Sequence, residues 1–188
     1  RPHVANKKGK KAIDESSDTY DTIEWLIKNV KNNNGKVGIY GISYPGFYST
    51  TSLPDAHPAL KAVSPQAPVT DWFLGDDFHH NGAFMLADAF NFYSTFGVPR
   101  PKPITPDKDP KSFQFPIKDN YRFFLELGPI KNVKAKYFGD SIAFWNDLMA
   151  HGTYDDFWKA RNIRPHLKDV KPAVLVVGGF FDAEDTYG

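Results

Sequence analysis

The most informative segment of the sequence for the fold is Gly38-Ile39-Tyr40-Gly41-Ile42-Ser43-Tyr44-Pro45-Gly46. Residues 36–42 predict a short buried strand, with glycines where another element can pack closely. Residues 47–53 predict a helix that leaves the turn after Ser43. A strand, a serine in a tight turn and a helix, in this order, are typical of a nucleophile elbow, which presents the serine hydroxyl above the edge of a sheet.

The spacing around Ser43 departs from the usual pattern of such a turn. That pattern is G-x-S-x-G, whereas here Pro45 takes the fifth position and glycine follows one residue later, at Gly46. The alternative interpretation is a strand-to-helix turn that merely contains a serine. The strand before Ser43 and the helix after it favour the elbow.

The flanking sequence predicts a parallel α/β fold. Apolar residues between Tyr20 and Val30 recur at helical spacing behind polar cap candidates, so residues 18–31 predict a helix. Asn32-Asn33-Asn34-Gly35 is a stop signal for that helix. Residues 60–64 predict the next strand, and the alternation of strand and helix is typical of a parallel sheet.

That alternation stops over residues 75–170, which predict an inserted, mostly helical cap. Aromatic helical stretches flank residues 99–116, a segment that contains six prolines. Residues 173–177 then predict a core strand that ends in a loop with Asp182. The predicted domains are therefore 1–74, the part of the α/β core with the elbow; 75–170, the helical cap; and 171–188, the return to the core.

The composition is that of a globular protein with a small-molecule partner. Apolar residues make up 41% of the sequence and aromatic residues 15%, which is enough to fill a core. Lys and Arg number 23 against 22 for Asp and Glu, so the net charge of +1 gives no field that would attract nucleic acid or an anionic membrane. The sequence contains no cysteine, so Ser, His and carboxylates must perform any catalysis.

The beginning of the sequence predicts neither a membrane anchor nor a signal peptide. No apolar run approaches the roughly 20 residues that a transmembrane helix requires. The first residues are basic, no apolar stretch follows them, and no Met precedes them. We therefore expect the chain to be a piece of a longer protein, and we expect no cofactor.

A serine hydroxyl is a weak nucleophile at neutral pH, so Ser43 would need an imidazole to accept its proton and a carboxylate to orient that imidazole. In α/β-hydrolases these groups follow in the order serine, acid, histidine. Asp182 stands where the acid is expected, and the alternative is a solvated loop aspartate. All the histidines precede Asp182: His3, His57, His79, His80, His151 and His166. We therefore expect the catalytic histidine to lie outside this sequence.

The segment Asp76-Asp77-Phe78-His79-His80 raises the question of a metal site. Adjacent residues point apart on most backbones, and this spacing is unlike known ligand sets, so we expect no metal. Taken alone, Asp77 is well explained as part of a solvated surface. Glu184 and Asp185, taken alone, are well explained as the first turn of a helix, which favours acids.

Several segments resemble one family of hydrolases. They are residues 21–30, residues 34–38, the turn from Gly41 to Gly46, His57-Pro58-Ala59-Leu60-Lys61-Ala62, Gly75-Asp76-Asp77-Phe78, Tyr154-Asp155-Asp156-Phe157-Trp158 and residues 181–188. The chain is similar to the cocaine-esterase and X-Pro dipeptidyl-peptidase group, and within it to the α-amino-acid ester hydrolases. The resemblance weakens in the proline-rich segment. It implies an α/β-hydrolase domain, a helical cap and a C-terminal jelly roll.

The resemblance also implies roles for individual residues. Ser43 matches the nucleophile, Asp182 the triad acid, and the backbone N–H of Tyr44 one donor of the oxyanion hole. The second donor of the family is a tyrosine hydroxyl on an earlier strand, which we expect to precede Arg1. Three carboxylates match the family's acyl-side cluster: Asp77, Glu184 and Asp185. Such a cluster would make charge-assisted hydrogen bonds to the α-ammonium group of a substrate.

These roles predict a serine hydrolase that cleaves esters or amides of α-amino acids through an acyl-enzyme. The alternatives with the same fold are a cocaine-esterase-like, a glutaryl-acylase-like and an X-Pro dipeptidyl-peptidase-like hydrolase. The alternative of another class is a non-catalytic fragment or binding module. The resemblance suggests a secreted or periplasmic homo-oligomer whose partner is a small ester or amide.

Overall fold

The computed structural model describes residues 14–182. Within this range the chain forms two compact units, residues 14–82 with 154–182 and residues 83–153. The second compact unit lies inside the predicted cap, residues 75–170. That residues 75–170 form a separate domain stays a prediction. Among residues 14–182, none of the helices combines the length and the apolar character that a membrane crossing requires.

The regular elements follow one another in the order in which we label them. They are α1 (Glu15–Asn29), β1 (Val37–Ile42), α2 (Tyr44–Thr51), β2 (Leu60–Gln66), β3 (Gly75–Asp76), β4 (His79–His80), β5 (Ala83–Phe84), α3 (Leu86–Thr95), α4 (Asn120–Leu127), α5 (Ala143–Ala150), α6 (Asp156–Lys159) and β6 (Ala173–Val174). Short 3-10 turns occupy Pro106–Lys108 and Arg164–His166, and a π-helix occupies Lys134–Phe138.

The first unit contains a parallel sheet with strand order β1-β2-β6. The predicted strands at 36–42 and 60–64 and the predicted helices at 18–31 and 47–53 correspond to β1, β2, α1 and α2. The α/β fold class is thereby confirmed.

Helix α1 packs on one face of this sheet. It begins at a capping box in which the Asp14 carboxylate accepts from the Ser17 N–H and the Ser17 hydroxyl accepts from the Asp14 N–H, both at 2.9 Å. The buried side chain of Ile23 then joins the core on the sheet. The other members of that core cluster are Leu53, Ala59, Leu60 and Val63.

The opposite face of the sheet is exposed among the described residues. Tyr40 and Ile42 of β1 project from it and are 76% and 58% exposed, so the prediction that residues 36–42 form a buried strand is wrong in its burial. The predicted core strand at 173–177 is wrong in its burial: only Ala173–Val174 forms ladder pairs with β2, Val177 adds one bridge to Gln66, and Leu175 is 65% exposed. The reason is that β6 has a single strand neighbour in the described range, and nothing described covers this face.

The second unit, residues 83–153, has an aromatic core centred on Phe90, which is fully buried. Phe113 and Phe115 of the proline-rich segment lie 4.9 and 5.7 Å from the Phe90 ring. Phe138 stacks on the same ring at 4.9 Å, and Trp145 meets Phe138 edge-on at 5.1 Å. The proline-rich segment is thus held on the helices of this unit by its two phenylalanines.

Candidate active site

Ser43 lies in the turn between β1 and α2 with a backbone conformation that residues other than glycine rarely adopt. Its φ is 60° and its ψ is −119°. Such conformations cost about 1–3 kcal/mol and persist only where the surroundings hold them. The turn therefore has the strained strand-to-helix geometry that is typical of a nucleophile elbow.

Two glycines allow this turn to be so tight. A Cβ on Gly41 would collide with the backbone carbonyl of Pro45, and a Cβ on Gly46 would lie 2.5 Å from the carbonyl oxygen of Gln66. Pro45 lies in the first turn of α2, where its missing N–H removes no hydrogen bond. The displaced glycine of the motif is thus explained, because Gly46 is the residue that touches β2.

The Ser43 hydroxyl does not cap helix α2. The Ser43 side chain makes no capping hydrogen bond to α2, although serine is a favoured cap residue. Its backbone N–H donates to the Gln66 carbonyl at 2.9 Å, and its carbonyl accepts from the Phe47 N–H at 3.0 Å. The backbone of Ser43 therefore holds the turn in place, and its side chain does not serve as a cap.

Tyr44 follows Ser43 at the start of α2, where backbone N–H groups have no acceptor within the helix. The Tyr44 ring meets Trp72 edge-on at 5.6 Å and Tyr48 edge-on at 4.8 Å. Burial, helped by a hydrogen bond with Tyr48, raises the pKa of the Tyr44 phenol. The phenol is therefore neutral at ordinary pH, and its ring is a fixed wall beside the elbow.

Asp182 leaves the sheet at the same edge as Ser43. Ile42 pairs with Gln66, and Gln66 in turn bridges Val177, so the three parallel segments end at one level. The Val177 carbonyl accepts from the Ala67 N–H at 2.8 Å, and Asp182 follows five residues later, in a turn where its N–H donates to Gly179. The carboxyl ends of parallel strands form the crevice in which α/β proteins bind ligands. Asp182 is half-buried at this edge.

Asp77 lies at the tip of a hairpin. β3 and β4 pair antiparallel, with Asp76 opposite His79, so that Asp77 and Phe78 form a two-residue loop. Asp77 is half-buried and Phe78 is buried. The other two predicted members of the carboxylate cluster, Glu184 and Asp185, lie outside the described residues.

Burial shifts the pKa values of two neighbours of Asp77 on the hairpin, Asp76 and His79, in the direction that favours their neutral forms. Asp76 is buried, and its burial, together with the charge of Asp77, raises the pKa of the Asp76 carboxyl to about 7. Burial lowers the pKa of His79 to about 4. The His79 ring stacks on Phe73 at 5.0 Å and meets Trp158 edge-on at 5.1 Å. His79 is therefore a packed core residue.

His57 is also engaged in packing. Its Nδ1 accepts from the Ala59 N–H at 3.0 Å, so its proton is on Nε2, which lies 2.8 Å from a Glu24 carboxylate oxygen. Tyr20 meets the same ring edge-on at 4.6 Å. No group of three or more His, Asp or Glu side chains within residues 14–182 is arranged to hold a metal ion.

Sequence reasoning missed two residues near the elbow. Asp71 is completely buried, and Trp72 contacts both Tyr44 and Phe47. Neither residue belongs to a recognisable motif. The one available signal was a carboxylate inside an otherwise apolar stretch after β2.

The family model of the X-Pro dipeptidyl-peptidase (S15 family) matches residues 8–188. Among curated proteins, the Xaa-Pro dipeptidyl-peptidase of Lactiplantibacillus plantarum is 22% identical over 90% of this chain and 20% of its own length. The cocaine esterase of a Rhodococcus species is 20% identical over 90% of this chain and 30% of its own length.

Two solved structures are similar throughout. An aminopeptidase from the marine sediment archaeon Thaumarchaeota archaeon is 35% identical with a TM-score of 0.84, over 100% of this chain and 30% of its own. A selenomethionine-labelled α-amino acid ester hydrolase is 30% identical with a TM-score of 0.78, over 94% of this chain and 28% of its own. The chain spans 20% to 30% of the length of these relatives. Because the family model covers nearly all of the sequence and the parallel sheet has the expected order of strand, serine and helix, the chain belongs to the X-Pro dipeptidyl-peptidase (S15) family of α/β-hydrolases.

Proposed function

We propose that the protein is a serine hydrolase that cleaves esters or amides through an acyl-enzyme, with Ser43 as the nucleophile. The observation that supports this most strongly is the strained backbone of Ser43 between β1 and α2. Strain of this kind is retained where the surrounding structure imposes it, and it is concentrated at functional sites. The membership of the S15 family agrees with the proposal.

In the proposed reaction, Ser43 Oγ forms a bond to the substrate carbonyl carbon while its proton passes to an imidazole. The Tyr44 N–H donates to the oxyanion that develops on the carbonyl oxygen. Collapse of this intermediate breaks the bond to the alcohol or amine, which leaves with that proton. Water then attacks the acyl-enzyme in the same way and releases the acid.

We propose Asp182 as the carboxylate that orients the imidazole. Its position at the carboxyl edge of the sheet supports this role, since Ser43 leaves β1 at the same edge. His57 and His79 are engaged in packing, and every histidine of this sequence precedes Asp182, whereas in α/β-hydrolases the histidine follows the acid. We therefore assign the base to a histidine in a part of the longer protein, whose relatives extend well beyond the matched region.

We further propose that the acyl group bears a free α-amine. Asp77, with Glu184 and Asp185, would bind the ammonium group by charge-assisted hydrogen bonds. The two solved relatives support this, because an aminopeptidase and an α-amino acid ester hydrolase are both named for substrates with that group.

The test uses the full-length protein with phenylglycine methyl ester and its N-acetylated form. We expect kcat/KM to be at least about tenfold higher for the free amine, since a hydrogen bond to a charged group contributes roughly 1.5–3 kcal/mol. Ser43→Ala should abolish turnover of both esters and prevent labelling by a fluorophosphonate. Turnover by Ser43→Ala at the wild-type rate would disprove the assignment of the nucleophile.

A second candidate function is aminopeptidase activity on amides. The solved aminopeptidase, at 35% identity over the whole chain, favours it. Phenylglycine methyl ester, phenylalanine p-nitroanilide and alanyl-proline p-nitroanilide separate the possibilities. Faster turnover of phenylalanine p-nitroanilide would favour the aminopeptidase, and faster turnover of the alanyl-proline substrate would favour an X-Pro dipeptidyl-peptidase.

A further inference from the structure

A buried hydrogen-bond network surrounds Asp71, and the proposed reaction does not use it. The Asp71 side chain is completely buried, and its Oδ2 accepts three hydrogen bonds from residues far along the chain. The donors are the Tyr154 hydroxyl at 2.9 Å, Asn162 Nδ2 at 2.8 Å and Arg164 Nη2 at 2.8 Å. A buried carboxylate requires such partners, because an unpaired charge in the interior is costly.

The donors are themselves linked. Asn162 Oδ1 accepts from the backbone N–H and from Nε of Arg164 at 3.0 and 3.2 Å, and Asn162 Nδ2 lies 3.2 Å from the Tyr154 hydroxyl. Burial raises the pKa of the Tyr154 phenol, so the hydroxyl stays protonated and can donate. A backbone bond from the Ile163 N–H to the Thr70 carbonyl at 3.2 Å joins the same two segments. The network is therefore a fixed connection between residues 70–71 and residues 154–164.

The other oxygen of Asp71 holds the base of the hairpin. Asp71 Oδ1 accepts from the Phe73 and Leu74 N–H groups, each at 3.1 Å, and the Asp71 carbonyl accepts from the Gly75 N–H at 3.0 Å. From that base, the Asn81 N–H donates to the Leu74 carbonyl at 2.8 Å. The position of the hairpin is thus determined at Asp71.

The positions of Trp72 and Asp77 both depend on this base. Trp72 follows Asp71 directly, and its ring contacts Tyr44 and Phe47 at 5.6 and 5.4 Å. Asp77 lies at the tip of the hairpin, within its loop of two residues, and so short a loop leaves little freedom between base and tip. A change at Asp71 would therefore move Asp77 relative to the turn that holds Ser43.

We propose that Asp71 is a positioning residue: through Tyr154, Asn162 and Arg164 it holds the hairpin so that Asp77 can bind the α-ammonium group of the substrate. This role rests on the proposed function. It adds a residue that determines the preference for substrates with a free α-amine. Asp71 itself, being fully buried, acts through Asp77 and not on the substrate.

The experiment compares kcat/KM for phenylglycine methyl ester with kcat/KM for its N-acetylated form, in the full-length protein. We expect Asp71→Asn to lower this ratio roughly tenfold, mainly through KM of the free-amine ester, because an amide has one acceptor oxygen where the carboxylate has two. The rate on the acetylated ester should change by less than about threefold, since it makes no bond to Asp77. In an Asp77→Asn background, Asp71→Asn should leave the ratio unchanged, which is the coupling expected of residues that act in series.

Tyr154→Phe provides a milder variant in case Asp71→Asn fails to fold. It deletes one donor to Asp71 and keeps the ring, so we expect the same pattern with a smaller loss, roughly threefold. Tyr20→Phe is the matched control, since Tyr20 lies on α1, away from the hairpin, and its ring contacts His57. The ratio should not change in this control.

The outcomes separate the two proposals. A wild-type ratio near one, or no effect of Asp77→Asn, would overturn the proposed acyl specificity and this inference with it. The inference about Asp71 alone would be overturned if the wild type prefers the free-amine ester but Asp71→Asn lowers kcat/KM equally for both esters. It would also be overturned if Asp71→Asn still lowers the ratio in the Asp77→Asn background.

Discussion

At the level of single residues, the elbow depends on the absence of a Cβ atom at Gly41 and Gly46. Ser43 keeps its unusual φ of 60° because the turn is closed on both sides, by the carbonyl of Pro45 and by the carbonyl of Gln66. Any Cβ at either glycine would push these groups apart. The strain of Ser43 is therefore maintained by its neighbours and not by its own side chain.

We predict that Gly41→Ala disrupts the elbow and that Gly38→Ala in the same strand does not. The added Cβ at Gly41 meets the Pro45 backbone, whereas at Gly38 the nearest atom is the Ala62 carbonyl oxygen at 3.7 Å, an ordinary contact. We expect Gly41→Ala to cost about 2 kcal/mol or more in the free energy of unfolding and to remove most of the proposed turnover of phenylglycine methyl ester. Denaturant unfolding and kcat/KM of the full-length variants measure both effects. Equal losses in the two variants would contradict the explanation.

Asp76 should make the protein less stable as the pH rises from about 4 to 7. Its pKa is raised to about 7 in the folded protein from an ordinary value of 3.8, so between these values the folded state binds a proton that the unfolded state has released. Stability then falls with pH across this window, by up to about 4 kcal/mol. Relative to wild type, Asp76→Asn should therefore gain stability as the pH rises to 7, as measured by urea unfolding.

The pKa shift of His79 should change the stability with pH in the opposite direction. Its pKa is lowered to about 4 from 6.5, so the unfolded state binds the proton between these values and stability falls as the pH falls. His79→Phe should consequently gain stability relative to wild type as the pH falls from 6.5 to 4. Variants whose stability difference from wild type does not change with pH would show that these groups titrate normally.

At the scale of elements, α1 and the β3–β4 hairpin each depend on a single aspartate at their start. Asp14 caps α1 by accepting from the Ser17 N–H, and Asp71 accepts from the Phe73 and Leu74 N–H groups at the base of the hairpin. In both places a short carboxylate satisfies backbone donors that the element itself leaves unpaired. The difference is burial, because Asp71 also requires donors from a distant segment.

Asp14→Ala should destabilise α1 without affecting the elbow. The loss of a capping box costs about 1 kcal/mol in the free energy of unfolding. Asp21→Ala is the control, because Asp21 is exposed in the second turn of the same helix and caps nothing. Chemical denaturation should show the loss in Asp14→Ala alone, with kcat/KM unchanged in both variants.

At the scale of the whole molecule, one face of the parallel sheet is apolar and uncovered among the described residues. Tyr40 and Ile42 of β1 share this face with Leu175 and Val177, and all four side chains are at least 43% exposed. Parallel sheets occur almost only with both faces covered. We therefore expect this face to be covered by segments that correspond to the parts of the relatives outside the matched region.

Leu175→Asp tests that expectation in the full-length protein. If the face is covered there, burying the new carboxylate should cost about 2 kcal/mol or more. Leu125 on α4 has nearly the same exposure, 67% against 65%, and Leu125→Asp is the matched variant on a helix surface. Thermal unfolding should show a lower Tm for Leu175→Asp alone, and unchanged melting of Leu175→Asp would show that the face stays in solvent.

Much of the fold could be predicted because its signals are local. Periodicity and stop residues predicted α1, β1, α2 and β2, and the order of strand, Ser43 and helix follows from the chain itself. The chain order of serine, acid and histidine indicated Asp182, and the family resemblance added Asp77 as a candidate. Neither the burial of residues 173–177 nor the bounds of the second unit could be predicted in this way, because both depend on which segments meet in space.

The α/β class and the place of Ser43 between β1 and α2 follow from local sequence, since propensity, periodicity and turn residues act over a few neighbours. The strain at Ser43, in contrast, depends on contacts between distant segments, because the glycine contacts involve the carbonyl of Gln66 on another strand. The tertiary structure alone identified Asp71, whose donors lie 83 to 93 residues away along the chain. A buried carboxylate has no sequence pattern of its own, because the hydrogen bonds that make it tolerable form only when distant segments fold together.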